Sequence, residues 1–513
     1  MKLAMGIDVG TSGTRALIVD GDGKLVAQAT RPHAISHPRP AWSEQDPHEW
    51  WLATSGAVRA ALAAANLSGK DIAAVGLSGQ MHGLVMLDET NAVIRPAILW
   101  NDQRSVVECE ELTEKIGAER LLQIACNPML AGFTAPKIAW VAKHEGDALK
   151  RARHILLPKD YVRFMLTGVY ATDVSDGSGM LLMNVPERRY APEILSVLGI
   201  DEKILPKLYE SPDVTGTVNA QAAESTGLAP GTPVVGGAGD QAAAAVGNGV
   251  ITEGITCATL GTSGVIFAAT DRLLVDIPKG RVHSFCHAVP GKWHIMGVVL
   301  ASGGSYQWVR NNLAEVEKVA AQNRGVDVYD VLSEEALSAR PGCEGLIFLP
   351  YLTGERSPIN DPYARGGWIG LTMRHTKADL IRSVVEGASF AMKDCMSVIR
   401  DLGVKVTDIR LSGGGAVSPL WRSIQAAVYN KPVSTLAVSE GSAYGAAILA
   451  MVGGGIYPSV EDACKSVIKV TGKTRPDKSA AAVYKKLFPL YRKMYKHLKG
   501  DFRALCDIVA CEV

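Results

Sequence analysis

The tetrapeptide Gly-Thr-Ser-Gly occurs twice in the chain, at residues 10–13 and 261–264, both times between apolar segments. A tight turn of this composition presents several backbone N–H groups and hydroxyls in one concavity, which binds phosphate oxygens without a lysine. One copy alone is typical of an ordinary hairpin turn, whereas two copies in matching surroundings favour a divided phosphate site. The predicted phosphate-binding residues are Thr11, Ser12, Gly261 and Thr262.

Only the first turn has an acidic residue two positions before it: Asp8 precedes Gly10, whereas Thr259 precedes Gly261. Aspartate often begins a turn, so a purely local role is one alternative. Beside a phosphate, however, a carboxylate is repulsive unless a cation lies between them, and Mg²⁺ is a hard cation that prefers oxygen ligands. We therefore predict that Asp8 binds Mg²⁺.

A second acid, Asp240, lies in the segment GGAGDQAAA, where a buried strand is predicted to meet an alanine-rich helix. A helix N-cap is the structural alternative for an aspartate at such a junction. The neighbouring glycines would let a substrate approach, and a carboxylate here could accept the proton of a hydroxyl that attacks the γ-phosphorus of a nucleotide. Asp240 is therefore the predicted general base and a second candidate ligand of Mg²⁺.

Residues 237–242 also match the pattern GxGxxA of dinucleotide-binding proteins, so a dehydrogenase is a rival interpretation. It is disfavoured because Asp240 would turn its negative charge toward the pyrophosphate. The next predicted strand, at 255–260, has no acidic residue at its end to bind a ribose. The chain also lacks a GxxxxGK[ST] segment, which excludes the other common strand–loop–helix phosphate site.

Each Gly-Thr-Ser-Gly turn is predicted to join two strands into a hairpin. The predicted strands span residues 3–8, 15–20, 255–260 and 265–269. Repetition of one hairpin about half a chain length apart indicates two similar domains, predicted at 1–245 and 246–513. Helical and strand-like segments alternate between the hairpins, which is typical of the α/β class. Further on, LSGGGAVSPLWRS predicts a glycine turn and a helix capped by Ser418.

The composition excludes several classes of protein. With 513 residues, the chain is too long for one hydrophobic core. Its formal net charge of +1 gives no reason to expect nucleic acid or a membrane surface as a partner. The nine cysteines include no CxxC pair, so no zinc or redox motif is indicated. Without an export signal or a long apolar run, a cytoplasmic protein is predicted, and whether it forms a homodimer is left open.

Taken together, the long motifs resemble those of the FGGY carbohydrate kinases. The resemblance covers both turn segments, GIDVGTSGTRALIVD and ATLGTSGVIF, and the family's two signature segments at residues 133–145 and 366–387. It implies an α/β fold with two duplicated ribonuclease H-like domains of the actin/hexokinase/Hsp70 ATPase type, separated by a cleft, and ATP as co-substrate. The nucleotide contacts that it adds are Trp308, Gly413, Gly414 and Ser418.

Within that family, the segments GQMHG, AILWNDQRS, WSEQDPHEWW and LLPKDYVRFMLTG resemble those of xylulokinases. This implies D-xylulose as the substrate, bound by Met81 and His82 together with Asp240 and Gln241. Gln241 departs from the asparagine that is usual there and is closer to glycerol kinases. Kinases for L-ribulose, L-fuculose or glycerol therefore remain alternatives, and an ATPase of the actin or chaperone type is a more distant one.

Overall fold

The computed structural model describes residues 2–438 and 441–511, with no account of the side chains of 509–511. These residues form two compact units, and each unit draws on three separate segments of the chain. Unit 1 contains the described residues within 1–251, 269–294 and 440–469, and unit 2 contains those within 252–268, 295–439 and 470–513. The sequence domains predicted at 1–245 and 246–513 stay a prediction.

Strands and helices alternate along the chain, as is typical of the α/β class. The strands are β1 Leu3–Val9, β2 Gly13–Val19, β3 Leu25–Pro32, β4 Glu44–Gln45, β5 Ile72–Gly79, β6 Val85–Leu87, β7 Ala97–Ile98, β8 His154–Leu156, β9 Ala171–Asp173, β10 Met183–Asn184, β11 Arg189–Tyr190, β12 Lys207–Tyr209, β13 Val214–Thr217, β14 Pro233–Val235, β15 Ala238–Gly239, β16 Ile255–Leu260, β17 Gly264–Thr270, β18 His283–Cys286, β19 Trp293–Val299, β20 Ile347–Leu349, β21 Gly367–Ile369, β22 Asp408–Gly413, β23 Val433–Leu436 and β24 Val470–Thr474. The helices are α1 Pro47–Ala64, α2 Val106–Ile116, α3 Ala118–Ile124, α4 Thr134–His144, α5 Gly146–Arg151, α6 Pro158–Thr167, α7 Val174–Gly177, α8 Pro192–Leu198, α9 Ala220–Thr226, α10 Asp240–Gly247, α11 Ser302–Asn312, α12 Glu315–Arg324, α13 Val328–Leu337, α14 Lys377–Asp401, α15 Gly414–Val417, α16 Pro419–Tyr429, α17 Gly441–Gly453, α18 Val460–Val467 and α19 Lys478–Cys511.

Unit 1 is built on a twisted sheet with the strand order β13-β14-β5-β1-β2-β3, and β15 pairs with β5 beside this path. The central strand β1 runs antiparallel to β2 and parallel to β5. Its side chains are almost all buried, because the sheet is covered on both faces. The first Gly-Thr-Ser-Gly turn therefore joins two strands that a large apolar core holds in place.

Helices α10 and α17 pack against each other in unit 1 with very little space between their backbones. A Cβ atom on Gly445 of α17 would lie 1.8 Å from the carbonyl oxygen of Ala243 in α10. On the sheet side, a Cβ on Gly6 of β1 would lie 1.9 Å from the carbonyl oxygen of Ala443. Only glycine allows backbones to approach this closely. The N-terminal ends of both helices are thereby fixed near β1.

Unit 2 repeats the hairpin arrangement of unit 1. Its β16 runs antiparallel to β17 and parallel to β22, just as β1 runs antiparallel to β2 and parallel to β5. In each case the glycine-rich turn joins the two antiparallel strands, and the parallel neighbour ends beside it. The structure therefore contains the same three-stranded motif twice.

Most local predictions agree with these elements. The strands predicted around both turns are confirmed, as is the helix capped by Ser418, whose hydroxyl accepts from the Trp421 N–H. Asp240 is not an N-cap, because α10 has Gly239 at that position and Asp240 as its first residue. Over the described part of the chain, none of the helices is both long and apolar enough to span a bilayer.

Candidate active site

The carboxyl ends of three parallel strands meet at one edge of the unit 1 sheet. Asp8 lies at the end of β1, residues 80–82 follow β5, and Asp240 follows β15. Gly239 at the end of β15 pairs with Gly79 at the end of β5. The residues that follow these two strands therefore start side by side. Ligands of open α/β sheets bind outside the carboxyl ends of such strands. The predicted acid pair and the predicted sugar-binding residues are therefore brought together within unit 1.

Asp8 is held by a residue from a distant part of the chain. The Ser442 hydroxyl, in the first turn of α17, donates to Asp8 Oδ2 at 3.1 Å. Burial raises the pKa of Asp8, and hydrogen bonds from the Ser78 and Ser442 hydroxyls partly oppose the shift. The other carboxylate oxygen, Oδ1, is buried and makes no hydrogen bond of good geometry among the described residues, although the Ser78 hydroxyl lies close to the carboxyl group. Such an oxygen fits a cation ligand, since a buried carboxylate needs a partner.

Asp240 is close enough to Asp8 for the two charges to interact. Burial and the charge of Asp8 raise the pKa of Asp240 to about 7, while hydrogen bonds from the Gln241 backbone and side chain oppose the shift. Two carboxylates at one site repel each other unless one is protonated or a cation lies between them. The pair thus provides a base that titrates near neutral pH and a place where a divalent cation would be stabilised.

Within the described residues, no group of three or more His, Cys, Asp or Glu side chains is arranged to hold a metal ion. Asp8 and Asp240 are a pair rather than such a group. That donor set still suits Mg²⁺, which keeps several waters and is commonly bound by one or two carboxylates together with substrate phosphates.

Met81 and His82 are buried beside Asp240. A Cβ atom on Gly239 would lie 2.9 Å from Met81 Cγ, so the glycine before Asp240 makes room for this side chain. The His82 ring lies with Nδ1 2.8 Å from the Gly179 carbonyl oxygen. A carbonyl can only accept, so Nδ1 carries a proton, and in the neutral ring Nε2 is an acceptor.

Two residues that the motifs did not identify hold the first turn in place through hydrogen bonds to Thr11. Trp100 Nε1 donates to Thr11 Oγ1 at 3.0 Å, and Gln45 Nε2 donates to the Thr11 carbonyl oxygen at 2.7 Å. Gly10 N–H donates to Gly13 O at 3.1 Å and closes the turn. Ser12 is exposed at its tip. Its hydroxyl therefore remains accessible from solvent.

The segment LLPKDYVRFMLTG contributes Lys159 and Asp160 to a buried cluster of charges next to this sheet edge. Lys159 Nζ lies 2.6 Å from Asp160 Oδ1, 2.9 Å from Asp173 Oδ1 and 3.4 Å from Asp176 Oδ2, and all four side chains are fully buried. A Cβ on Gly79 would lie 3.2 Å from Lys159 Cβ, so the cluster packs directly beneath the end of β5. Burial and the neighbouring acids raise the pKa of Asp176 well above its ordinary value, so the cluster holds more carboxyl groups than Lys159 alone can pair.

In unit 2, the second turn lies beside the end of a parallel strand. Gly413 ends β22 opposite Leu260 of β16, and its φ of 74° together with a Cβ position 2.5 Å from Leu260 O requires glycine. Gly261 and Thr262 follow β16 directly, and both are exposed. These residues and the exposed Gly414 therefore share one edge of the unit 2 sheet.

Trp308 and Ser418 take positions on neighbouring helices of unit 2. The Gly303 and Gly304 N–H groups, in the first turn of α11, donate to the carbonyl oxygens of Gly261 and Thr262 at 3.0 and 2.9 Å. Trp308 lies further along the same helix and is 38% exposed. The Ser418 hydroxyl is used as the cap of α16. The second turn thus packs on the start of α11 rather than on Trp308 itself, and Ser418 has a structural role of its own.

Three of the residues that organise the site could not be read from the motifs. Ser442, Gln45 and Trp100 act through contacts with residues far away in the sequence. The only signal was that Gln45 and Trp100 fall inside segments that resemble xylulokinases. Ser442 lies in an Ala- and Gly-rich helix that carries no chemical signature.

Comparison with known proteins finds carbohydrate kinases that match nearly the whole chain. The family model described as the N-terminal domain of the FGGY family of carbohydrate kinases matches residues 3–247, and its C-terminal counterpart matches 257–454. A xylulose kinase from Bacillus subtilis is 37% identical over 505 residues, covering 98% of this chain and 99% of the relative. A gluconokinase from the same organism is 30% identical, covering 98% and 97%.

A solved structure supports the fold. The crystal structure of a xyloylose kinase from Brucella ovis is 35% identical and superimposes with a TM-score of 0.88, covering 97% of this chain and 99% of that one. The predicted two-domain α/β fold of the actin/hexokinase type is thereby confirmed, as is an ATP-dependent sugar kinase. The chain belongs to the FGGY family of carbohydrate kinases.

Proposed function

We propose that this kinase transfers the γ-phosphoryl group of ATP to the terminal hydroxyl of D-xylulose, giving D-xylulose 5-phosphate and ADP. The observation that carries the proposal is the grouping of Asp240, Met81 and His82 at one sheet edge beside Asp8. The xylulose kinase relatives support the choice of sugar. The gluconokinase relative makes gluconate the acceptor to compare with D-xylulose.

Asp240 is the proposed general base. It accepts the proton of the sugar hydroxyl while that oxygen bonds to the γ-phosphorus and the bond to the β,γ-bridging oxygen breaks in line with the attack. A base is most effective when its pKa lies near the working pH, and the pKa of Asp240 is raised to about 7. Gln241 hydrogen-bonds to the same carboxylate and orients it.

Asp8, with Asp240 as a second ligand, is proposed to hold Mg²⁺ through the buried oxygen that makes no hydrogen bond of good geometry among the described residues. When bound, the cation neutralises the charge that builds up on the phosphates during transfer. Thr11 and Ser12 in unit 1, and Gly261 and Thr262 in unit 2, are proposed to donate hydrogen bonds to phosphate oxygens. The proposed adenosine contacts are Trp308, Gly413, Gly414 and Ser418.

Met81 and His82 are proposed to bind the sugar. The acceptor nitrogen of His82 matches a hydroxyl donor, and the Met81 thioether packs against the carbon face. Lys159, a buried cation next to this sheet edge, is already paired with three carboxylates, so it offers no positive charge to an acidic substrate. This environment favours a neutral ketose over an aldonate such as gluconate.

Replacing Asp240 by Asn tests the assignment of the base. The amide keeps the shape but cannot accept the proton, so we expect kcat to fall by about 10²–10⁴-fold with the KM for MgATP nearly unchanged. Initial rates of ADP release measure both constants. Asp71→Asn, an exposed loop carboxylate outside the site, is the control and should behave as wild type. A near wild-type kcat for Asp240→Asn would refute the base assignment.

A further inference from the structure

Lys137 is a fully buried lysine for which the proposed reaction has no use. It lies in α4, within the segment 133–145 that carries the family resemblance. Its Nζ donates to the carbonyl oxygens of His82 and Gly132, both at 2.8 Å. One of these acceptors belongs to a residue of the proposed sugar site, so the lysine lies directly behind that site.

The backbone of His82 has a conformation that needs support. Its φ is 69°, in the left-handed region that side chains other than glycine rarely adopt. The Thr134 hydroxyl donates to the same carbonyl at 3.0 Å, so two side chains from the start of α4 hold one peptide group. Without these donors, the buried carbonyl would be left unpaired and the peptide would be free to relax.

The ring of His82 is held by the same region of the chain. Phe133, the residue immediately before α4, packs with its ring centroid 4.4 Å from that of His82. On the other side, Nδ1 lies against the Gly179 carbonyl, as described above. The start of α4 therefore determines both the backbone and the ring position of His82.

Building on the proposed function, we infer that Lys137 is a positioning residue that acts on sugar binding through His82, holding its carbonyl so that the ring faces the sugar. Burial lowers the pKa of Lys137 well below its ordinary value. A neutral amine has two N–H bonds, which match the two carbonyls that it satisfies. No apolar side chain of similar length could replace both hydrogen bonds.

A double-mutant cycle between Lys137→Met and His82→Ala tests the inference. Lys137→Met should raise the KM for the sugar at least about tenfold while the KM for MgATP stays within about twofold. In the His82→Ala background, the same substitution should change kcat/KM for the sugar by less than about twofold, because the group it positions is gone. Thr134→Val should give a smaller rise, and Thr134→Ser should restore the wild-type KM.

Several outcomes would overturn the inference. In one, Lys137→Met changes kcat/KM for the sugar equally in the wild-type and His82→Ala proteins; in another, it raises the KM for the sugar and the KM for MgATP in parallel. Either result would mean that the lysine supports the fold without acting through His82. If Lys137→Met fails to fold by circular dichroism, the comparison of Thr134→Val with Thr134→Ser decides, and equal sugar KM values in these two would refute it. A wild-type kcat/KM for His82→Ala alone would instead refute the proposed role of His82 in sugar binding.

Discussion

At the scale of single residues, the two acids of the site differ in what surrounds them. Asp8 is tied by one oxygen to Ser442, and its second oxygen is buried and makes no hydrogen bond of good geometry among the described residues. Asp240 has Gln241 as its hydrogen-bonding neighbour and titrates near pH 7. Asp8 is thus held in place by a hydrogen bond, whereas the pKa of Asp240 is raised by its surroundings. Environment, rather than residue type, separates the two proposed roles.

Local motifs were enough to propose Asp8 and Asp240, whereas Met81 and His82 were proposed from the resemblance of their segment to xylulokinases. The residues that hold them could not be selected in the same way. Ser442 reaches Asp8 across 434 positions of the sequence. Lys137 reaches the backbone of His82 rather than its side chain. Contacts of this kind depend on the fold and leave no trace in spacing or composition.

A prediction at this scale concerns Glu355 in unit 2. Burial raises the pKa of this carboxyl from 4.5 to about 8, while the backbone N–H groups of Leu300 and Arg356 donate to it. The folded protein thus binds the proton of Glu355 more tightly than the unfolded chain does. This tighter binding contributes fully to the free energy of unfolding below about pH 4.5, and the contribution is lost as the pH rises toward 8. Glu355→Gln removes the titration and keeps an acceptor for both N–H groups.

For Glu355→Gln, the free energy of unfolding should fall less steeply with pH than in the wild type, by at most about 1.4 kcal/mol per pH unit. Urea unfolding at several pH values between 5 and 8 measures the slope. Glu111→Gln, an exposed carboxylate that pairs with Lys143, serves as the control and should leave the slope unchanged. Identical slopes for wild type and Glu355→Gln would show that this carboxyl is already ionised in the folded protein.

At the scale of elements, the hairpins and the first turns of helices were predictable, because glycine turns, caps and apolar runs are local signals. The strands on both sides of each Gly-Thr-Ser-Gly turn and the cap of α16 illustrate this. The position of α17 was not predictable. Its Ala- and Gly-rich sequence reads as a buried helix, but nothing in it shows that it returns to pack on β1 and α10 of unit 1.

The packing of α10 on α17 yields a prediction. Gly445→Ala places a Cβ 1.8 Å from Ala243 O, a backbone atom that cannot move without shifting α10. We expect a loss of about 1–3 kcal/mol in stability. We also expect a lower kcat, because α10 begins with Asp240. Thermal unfolding and initial rates measure the two effects.

Gly146→Ala is the matched control, since a Cβ atom on this helical glycine of α5 would have no atom within 4 Å. Alanine favours helix over glycine, so stability should stay the same or rise slightly, and kcat should not change. Equal stabilities for the Gly445→Ala and Gly146→Ala proteins would mean that α10 and α17 are not in close backbone contact in solution.

At the scale of the whole molecule, the repeated hairpin reflects a duplicated architecture. Each unit pairs an antiparallel hairpin with a parallel strand and places a glycine-rich turn at the same end. The copies differ where the proposed chemistry differs, because Asp8 stands before the first turn and Thr259 before the second. This difference matches the proposal that the acid before the first turn binds a cation and that the second turn needs no such ligand.

Relatives of similar length act on different sugars, as the names xylulose kinase and gluconokinase show. Fold and family therefore define the type of reaction and leave the choice of acceptor to the residues of the site. Gln241 is the residue at which this chain departs from the xylulokinase pattern. The identity of the acceptor is consequently the central claim that most needs a direct measurement.

That measurement is coupled ADP release with MgATP and each of D-xylulose, D-ribulose, L-ribulose, L-fuculose, glycerol and gluconate. We predict the highest kcat/KM for D-xylulose, at least about tenfold above every other acceptor, and little ATP turnover without sugar. A higher kcat/KM for any other acceptor would contradict the account, and so would ATP turnover that does not depend on sugar.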